Sequence, residues 1–218
     1  MTNGPAFDFG VSNEELILRC KDNDEAALRE LFRRHEKPVY GLLYRMLGKH
    51  EDAEEALEDV FVKIWKAAPG FRGDSKFTTW LYRIAGNTAR DMLRSRKARP
   101  EVAVEDEILS EIEYTGSSTD DPVKAVINRD EVERIERGMM KLSADDRLLI
   151  SLYHIQDVSL EEIARMTGQS RSNLKVKLFR ARQKLKALLE ETDRGTNNEV
   201  QRGTTESHGL QQGSAESG

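Results

Sequence analysis

Wherever apolar side chains cluster in this chain they recur every three or four residues, and nowhere do they alternate with polar ones over a strand's length. Helices are therefore the regular structure available to it, and the fold class expected is all-α. Capping residues mark where the helices begin. Ser12-Asn-Glu-Glu15 is a capping box ahead of Leu16, Ile17 and Cys20. After Asp22-Asn-Asp24, residues Ala27, Leu28, Leu31 and Phe32 hold helical spacing up to Pro38. Val39, Leu42, Leu43, Met46 and Leu47 then resume it as far as Gly48, which predicts a helical pair or one bent helix. Ala53, Ala56, Leu57, Val60, Phe61, Ile64 and Trp65 form the next apolar face, ended by Pro69-Gly70. A fourth helix opens near Asp74 or Ser75 and is stopped by Pro100, with Trp80, Leu81, Ile84, Ala85, Thr88, Met92 and Leu93 on one side. Asp121-Pro122 pairs an N-cap with proline at the first helical position, and Ser143-Ala-Asp-Asp146 caps a short helix carrying Leu148, Leu149, Leu152 and Tyr153.

The formal charge of −5 over 218 residues conceals strong segregation. From Lys63 to Arg99 there are ten bases against two acids, from Pro100 to Pro122 eight acids and no base, and from Arg165 to Lys186 eight bases and no acid. The acidic stretch includes Tyr114-Thr-Gly-Ser-Ser-Thr119 and reads as a flexible linker. With 38% hydrophobic and 6% aromatic residues, two small cores suit the chain better than one large one. The organisation expected is a helical domain over 11–99, an acidic linker over 100–121, a second helical domain over 122–191 and a disordered tail over 192–218. In that tail Val200, Leu210 and Ala215 offer too little apolar area to offset chain entropy.

Several function classes are excluded by composition. One cysteine and four scattered histidines supply neither a disulfide framework nor a zinc-ligand spacing, and no phosphate-cradling glycine loop or nucleophile, base and orienter spacing is present. The expectation is a protein with no catalytic residues, no metal and no cofactor, and not an enzyme. No apolar run reaches about 18 residues and Met1–Gly10 lacks an export signal, so a cytoplasmic protein without membrane insertion is expected.

Ser159-Leu-Glu-Glu162 is a further capping box, followed by Ile163, Ala164, the turn Met166-Thr-Gly168, a new cap at Ser170, and Leu174 and Leu178. That is the spacing of a helix-turn-helix, in which Ala164 permits a close crossing, Gly168 supplies the turn and Leu174 seals the corner. Its second helix presents Arg171, Ser172, Asn173, Lys175, Lys177, Arg180 and Arg182, donors suited to phosphates and purine edges in a major groove. In the first domain, the run from Phe71 to Asn87 interleaves aromatics with bases, as single-stranded nucleic acid requires. Trp80 and Leu81 read as core, whereas Phe71, Arg72, Gly73, Asp74, Ser75 and Lys76 of the loop, together with Asn87, are candidates for reading a base.

The run Asp52-Ala-Glu-Glu-Ala-Leu-Glu-Asp-Val-Phe61, the run Phe71 to Asn87 and the run Ser159-Leu-Glu-Glu-Ile-Ala to Lys177-Leu-Phe-Arg-Ala-Arg182 resemble, in this order, the extracytoplasmic-function (ECF) group of sigma-70-like transcription initiation factors. The resemblance covers residues 11 to 191. It implies a four-helix sigma-2-like domain and a helix-turn-helix sigma-4-like domain that join core RNA polymerase and bring it to promoters. By motif, Asp52, Glu55, Glu58 and Asp59 would bind the polymerase. The loop Phe71 to Lys76 with Arg83, Asn87 and Arg90 would take the single-stranded −10 element, and Arg171 to Arg182 would enter the −35 duplex. The acidic linker would thread towards the RNA exit path, and an anti-sigma factor is implied as a further partner. Two departures stand out. Glu58-Asp59 replaces the Gln-Glu frequent in the polymerase-binding helix, and Lys175 and Lys177 stand where arginine is frequent, so promoter sequence does not transfer.

The alternative is a helix-turn-helix regulator whose amino-terminal helical domain senses a ligand or dimerises. An acidic helix paired with an aromatic and basic loop favours the sigma factor, because a plain regulator needs neither a polymerase dock nor a strand-separating surface.

Overall fold

A computed structural model describes residues 10–98 and 122–209, with side chains over 10–98 and 131–191. The acidic linker, the Asp121 cap and the last residues of the tail lie outside the described residues. The helices, in chain order, are α1 (Asn13–Cys20), α2 (Glu25–Leu47), α3 (His50–Ala67), α4 (Phe77–Ala98), α5 (Pro122–Met140), α6 (Ala144–Ile150), α7 (Leu160–Thr167) and α8 (Arg171–Gly209). A short 3-10 turn, Ala68–Gly70, follows α3, and a wider helical turn, Ser151–Ile155, follows α6. No strand occurs among the described residues.

The caps set these boundaries. Ser12 Oγ accepts from the Glu15 N–H at 3.1 Å to start α1, and Asp24 Oδ1 accepts from Ala26 and Ala27 at 3.0 and 3.1 Å to start α2. A single α2 passes through Pro38 and ends at Gly48, whose φ of 80° lets its N–H reach the Tyr44 carbonyl. Glu14 caps at long range, accepting from the Phe77 N–H at 2.9 Å where α4 begins. That bond moves the start of α4 to Phe77, past the Asp74 or Ser75 expected from local signals.

Leu16, Ile17, Leu31, Leu42, Leu43, Met46, Ile64, Phe77 and Leu81 are fully buried and form the core of the α1–α4 module. Cys20 packs among them, and burial pushes its thiol up to about 11, so it stays a neutral packing group at ordinary pH. Met139, Leu152, Ile163, Leu174, Leu178 and Ala181 form the corresponding core of the α5–α8 module.

The two modules pack against each other. Gly86 on α4 lies beneath Leu148 of α6, so that a Cβ added there would sit 3.1 Å from the leucine methyl. Around this contact Arg45 pairs with Glu136 at 2.7 Å, and the buried Tyr82 hydroxyl donates to Gln156 Oε1 at 2.5 Å. Gln156 in turn donates to the Pro38 carbonyl at 3.1 Å. Burial pushes the Tyr82 phenol up to about 12, which keeps it a donor.

Candidate nucleic-acid interface

The helix-turn-helix is assembled by backbone capping at both ends of α7. Ser159 Oγ accepts from the Glu162 N–H at 3.2 Å while Glu162 Oε2 accepts from the Ser159 N–H at 3.1 Å, closing the box. Gly168 ends α7 with φ 68° and donates to the Ala164 carbonyl at 2.9 Å, a geometry that disfavours any side chain bearing a Cβ. Ser170 Oγ then accepts from the Asn173 N–H at 3.2 Å to start α8. Because Leu174, Leu178 and Ala181 are buried, the other side of α8 must face outward, and Arg171, Ser172, Asn173, Lys175, Lys177, Arg180 and Arg182 are all exposed.

Their head groups are not equally free. Arg182 Nε donates to His154 Nε2 at 2.8 Å and its guanidinium lies 5.5 Å from the centre of the Tyr153 ring. Burial, and then Arg182 itself, holds His154 below the usual histidine range and favours the neutral acceptor that this bond needs. Lys177 donates to Gln169 at 2.6 Å. Arg171, Lys175 and Arg180 project without such ties among the described residues.

In the first module the loop before α4 exposes Arg72, Gly73, Asp74 and Lys76, with Ser75 half-buried and Arg72 paired to Asp74 at 3.3 Å. Phe71 differs from its neighbours. It is 4% exposed, its ring tilted on Trp80 at 5.2 Å between centroids, so it anchors the loop with its apolar body and presents no free face to a base. Arg83, Asn87 and Arg90 follow on successive turns of α4, the first two exposed and the third half-buried. They face a polar cleft of about 560 Å³ whose opposite wall includes Asp145, Thr167 and Gln169 of the second module. Arg90 Nε donates to Asp145 Oδ1 at 3.0 Å and its Nη1 to Asn87 Oδ1 at 3.3 Å. Lys76 Nζ reaches Glu162 Oε1 at 3.2 Å. The −10 candidates thus lie against α6 and α7 of the second module, a juxtaposition that no local sequence signal announced.

On α3, Glu55, Glu58 and Asp59 are exposed on one surface, whereas Asp52 is half-buried and paired to Arg96 of α4. Val176 and Phe179 carry no charge and no capping role that singles them out in the sequence. They are 49% and 60% exposed on α8, legible only once Leu174 and Leu178 fix which way the helix faces. Among the described residues no cluster of histidine, cysteine and carboxylates could hold a metal ion, and no helix is long and apolar enough to cross a membrane.

Two helical modules, one a helix-turn-helix with an exposed cationic second helix and the other with a basic helix and an acidic one, define a modular nucleic-acid-binding protein. Residues 31–99 match Sigma-70 region 2, and residues 133–185 match Sigma-70, region 4. The chain is 30% identical over 182 residues to the RNA polymerase sigma-H factor of Pseudomonas aeruginosa, covering 82% of this chain and 94% of that one. It is 31% identical over 197 residues to the ECF RNA polymerase sigma factor SigM of Mycobacterium tuberculosis, covering 88% and 94%. Its fold is similar to that of CnrH, solved in complex with the cytosolic domain of CnrY, with a TM-score of 0.61 at 25% identity over 83% of this chain and 99% of that one. The chain belongs to the sigma-70 family of RNA polymerase sigma factors and to its ECF group.

Proposed function

We infer that this sigma factor joins core RNA polymerase and divides promoter recognition between its two modules. The α3 surface of Glu55, Glu58 and Asp59 docks on the polymerase, with Asp52 holding α3 to α4 from within. The loop Arg72 to Lys76 and the α4 row Arg83, Asn87 and Arg90 receive the separated −10 strand, and α8 enters the −35 duplex. Catalysis belongs to the polymerase and not to this chain, and the cytoplasm, where that enzyme works, is where the protein acts. An anti-sigma factor is its further partner.

The observation that carries this reading is the orientation of α8. Its apolar side is locked under Leu174, Leu178 and Ala181, which commits Arg171, Lys175 and Arg180 to solvent where a phosphate backbone would lie. Abortive transcription with core polymerase tests it. Initiation that appears only when this protein is added supports the reading, and equal initiation without it overturns it.

A further inference from the structure

Viewed down its axis, α8 divides into strips. Opposite the buried Leu174, Leu178 and Ala181 runs a strip without charge, Ser172, Val176, Phe179 and Gln183, at the spacing i, i+4, i+7, i+11 of one helix face. Lys175 borders that strip on one side and Arg180 on the other, and both are exposed. The cations therefore occupy the flanks, and the outermost line of the helix is apolar at its centre. Phe179, 60% exposed, and Val176, 49% exposed, are one turn apart there.

An aromatic ring and a β-branched side chain held in water on a lysine- and arginine-flanked helix need an apolar counterpart on a polyanion. Duplex DNA supplies one in the major groove, the C5 methyl of thymine, between phosphate rows spaced to meet cations on either flank. We propose that Val176 and Phe179 read adjacent thymine methyls, so that these two residues set sequence preference while Lys175 and Arg180 set affinity. This rests on the reading of α8 as the duplex-binding helix, and it moves sequence discrimination from the charged residues to the uncharged strip.

The test is selection by the full chain, assembled with core polymerase, from a randomised duplex pool made with thymine and from the same pool made with deoxyuridine. The expected result is a duplex motif with thymine at one or two neighbouring positions. Replacing those thymines by uracil should weaken binding about fourfold per methyl, the ratio for one buried carbon. Phe179→Ala should lose the uracil sensitivity at the one position its ring reads and keep it at the neighbouring position read by Val176, with the salt dependence of binding unchanged. A motif recovered with equal affinity from both pools overturns the proposal and leaves the duplex reading of α8 standing. Failure to enrich any motif upstream of the separated strand overturns that reading, and the proposal with it. The uracil arm needs no variant, so it decides the matter even if Phe179→Ala folds poorly.

Discussion

Arg45 Nε donates to Glu136 Oε1 at 2.7 Å, and through this pair α2 of the first module is bonded to α5 of the second. The side chains are 13% and 5% exposed, so water does little to screen either charge. Removing one partner should leave the other uncompensated. Glu136→Leu is expected to cost about 3–5 kcal/mol in urea denaturation of the full chain, while the double change Arg45→Met with Glu136→Leu should recover most of it. A single-variant loss below about 1 kcal/mol would mean that the pair behaves as an exposed one.

Gly86 offers a steric handle on the same seam. A Cβ at this position meets the end of the flexible Leu148 side chain at 3.1 Å, and alanine gains roughly 1 kcal/mol over glycine inside a helix. Gly86→Ala should therefore leave the melting temperature within a few degrees of its original value, whereas Gly86→Phe cannot fit beneath Leu148 and should wedge the modules apart. Small-angle scattering should then report a larger radius of gyration with the far-ultraviolet helix signal retained. An unchanged radius would show that the seam yields by local repacking.

Stability should fall with acid in two stages. His35 is buried against Phe77, at 5.4 Å between rings, and burial holds its imidazole below the ordinary 6.5. The unfolded chain thus takes up that proton first, and what neutral His35 contributes is lost as pH drops below about 6.5. Glu30 lies deeper on the scale. Hydrogen bonds from Arg33 and then Arg34, at 2.7 and 2.7 Å, hold its carboxyl down at about 2. Its contribution is complete above 4.5 and disappears between there and about 2. Melting temperature followed against pH should show a smaller lower stage in Glu30→Gln, with what remains owed to Asp24 and Glu162, whose carboxyls are also held low, and the upper stage kept.

How far the sequence discloses such features depends on whether their cause is local. The Ser12, Asp24, Ser143, Ser159 and Ser170 caps act within three residues, so helix starts were readable, and Gly168 was readable because the turn demands its positive φ. Exposure along α8 followed from the spacing of Leu174 and Leu178. Phe71 was not readable in this way. Its neighbours Arg72 to Lys76 marked it as loop, yet the ring buries itself against Trp80, a contact set by how the loop returns to α4. Asp52 likewise looked equivalent to Glu55 until Arg96, far along the chain, was brought beside it. The pairing of Arg90 with Asp145 spans residues 55 apart and depends wholly on how the modules meet.

That pairing bears on how α4 is exposed to DNA. Arg90 is engaged by Asp145, and Asn87 accepts from Arg90, so under the proposed reading a −10 strand taken up by Arg90 and Asn87 competes with the seam for them. Asp145→Ala removes the second module's hold on Arg90 without touching the first module. The expected outcome is stronger binding of the full chain to single-stranded promoter DNA, measured by fluorescence anisotropy. Unaltered affinity would show that Asp145 imposes no restraint on the face. In the same assay Asn87→Ala should weaken the strand contact while leaving duplex binding intact.

Salt dependence separates the cations of α8 by what already holds them. Every phosphate neutralised releases counterions, so the slope of log affinity against log salt counts the phosphate contacts, at about 0.9 for each on duplex DNA. Arg171 and Lys175 are exposed near the start of α8, and each should contribute one such contact. Arg182 is exposed too, but its guanidinium is turned back onto His154 and the Tyr153 ring. Arg171→Ala combined with Lys175→Ala should lower the slope by nearly 2, whereas Arg182→Ala should lower it by well under 1. The comparison is made on one duplex by titration across salt. Equal slopes for the double variant and the unaltered protein would place the amino-terminal turn of α8 away from the phosphates. A full unit lost on changing Arg182 would show that its tie to His154 gives way to DNA.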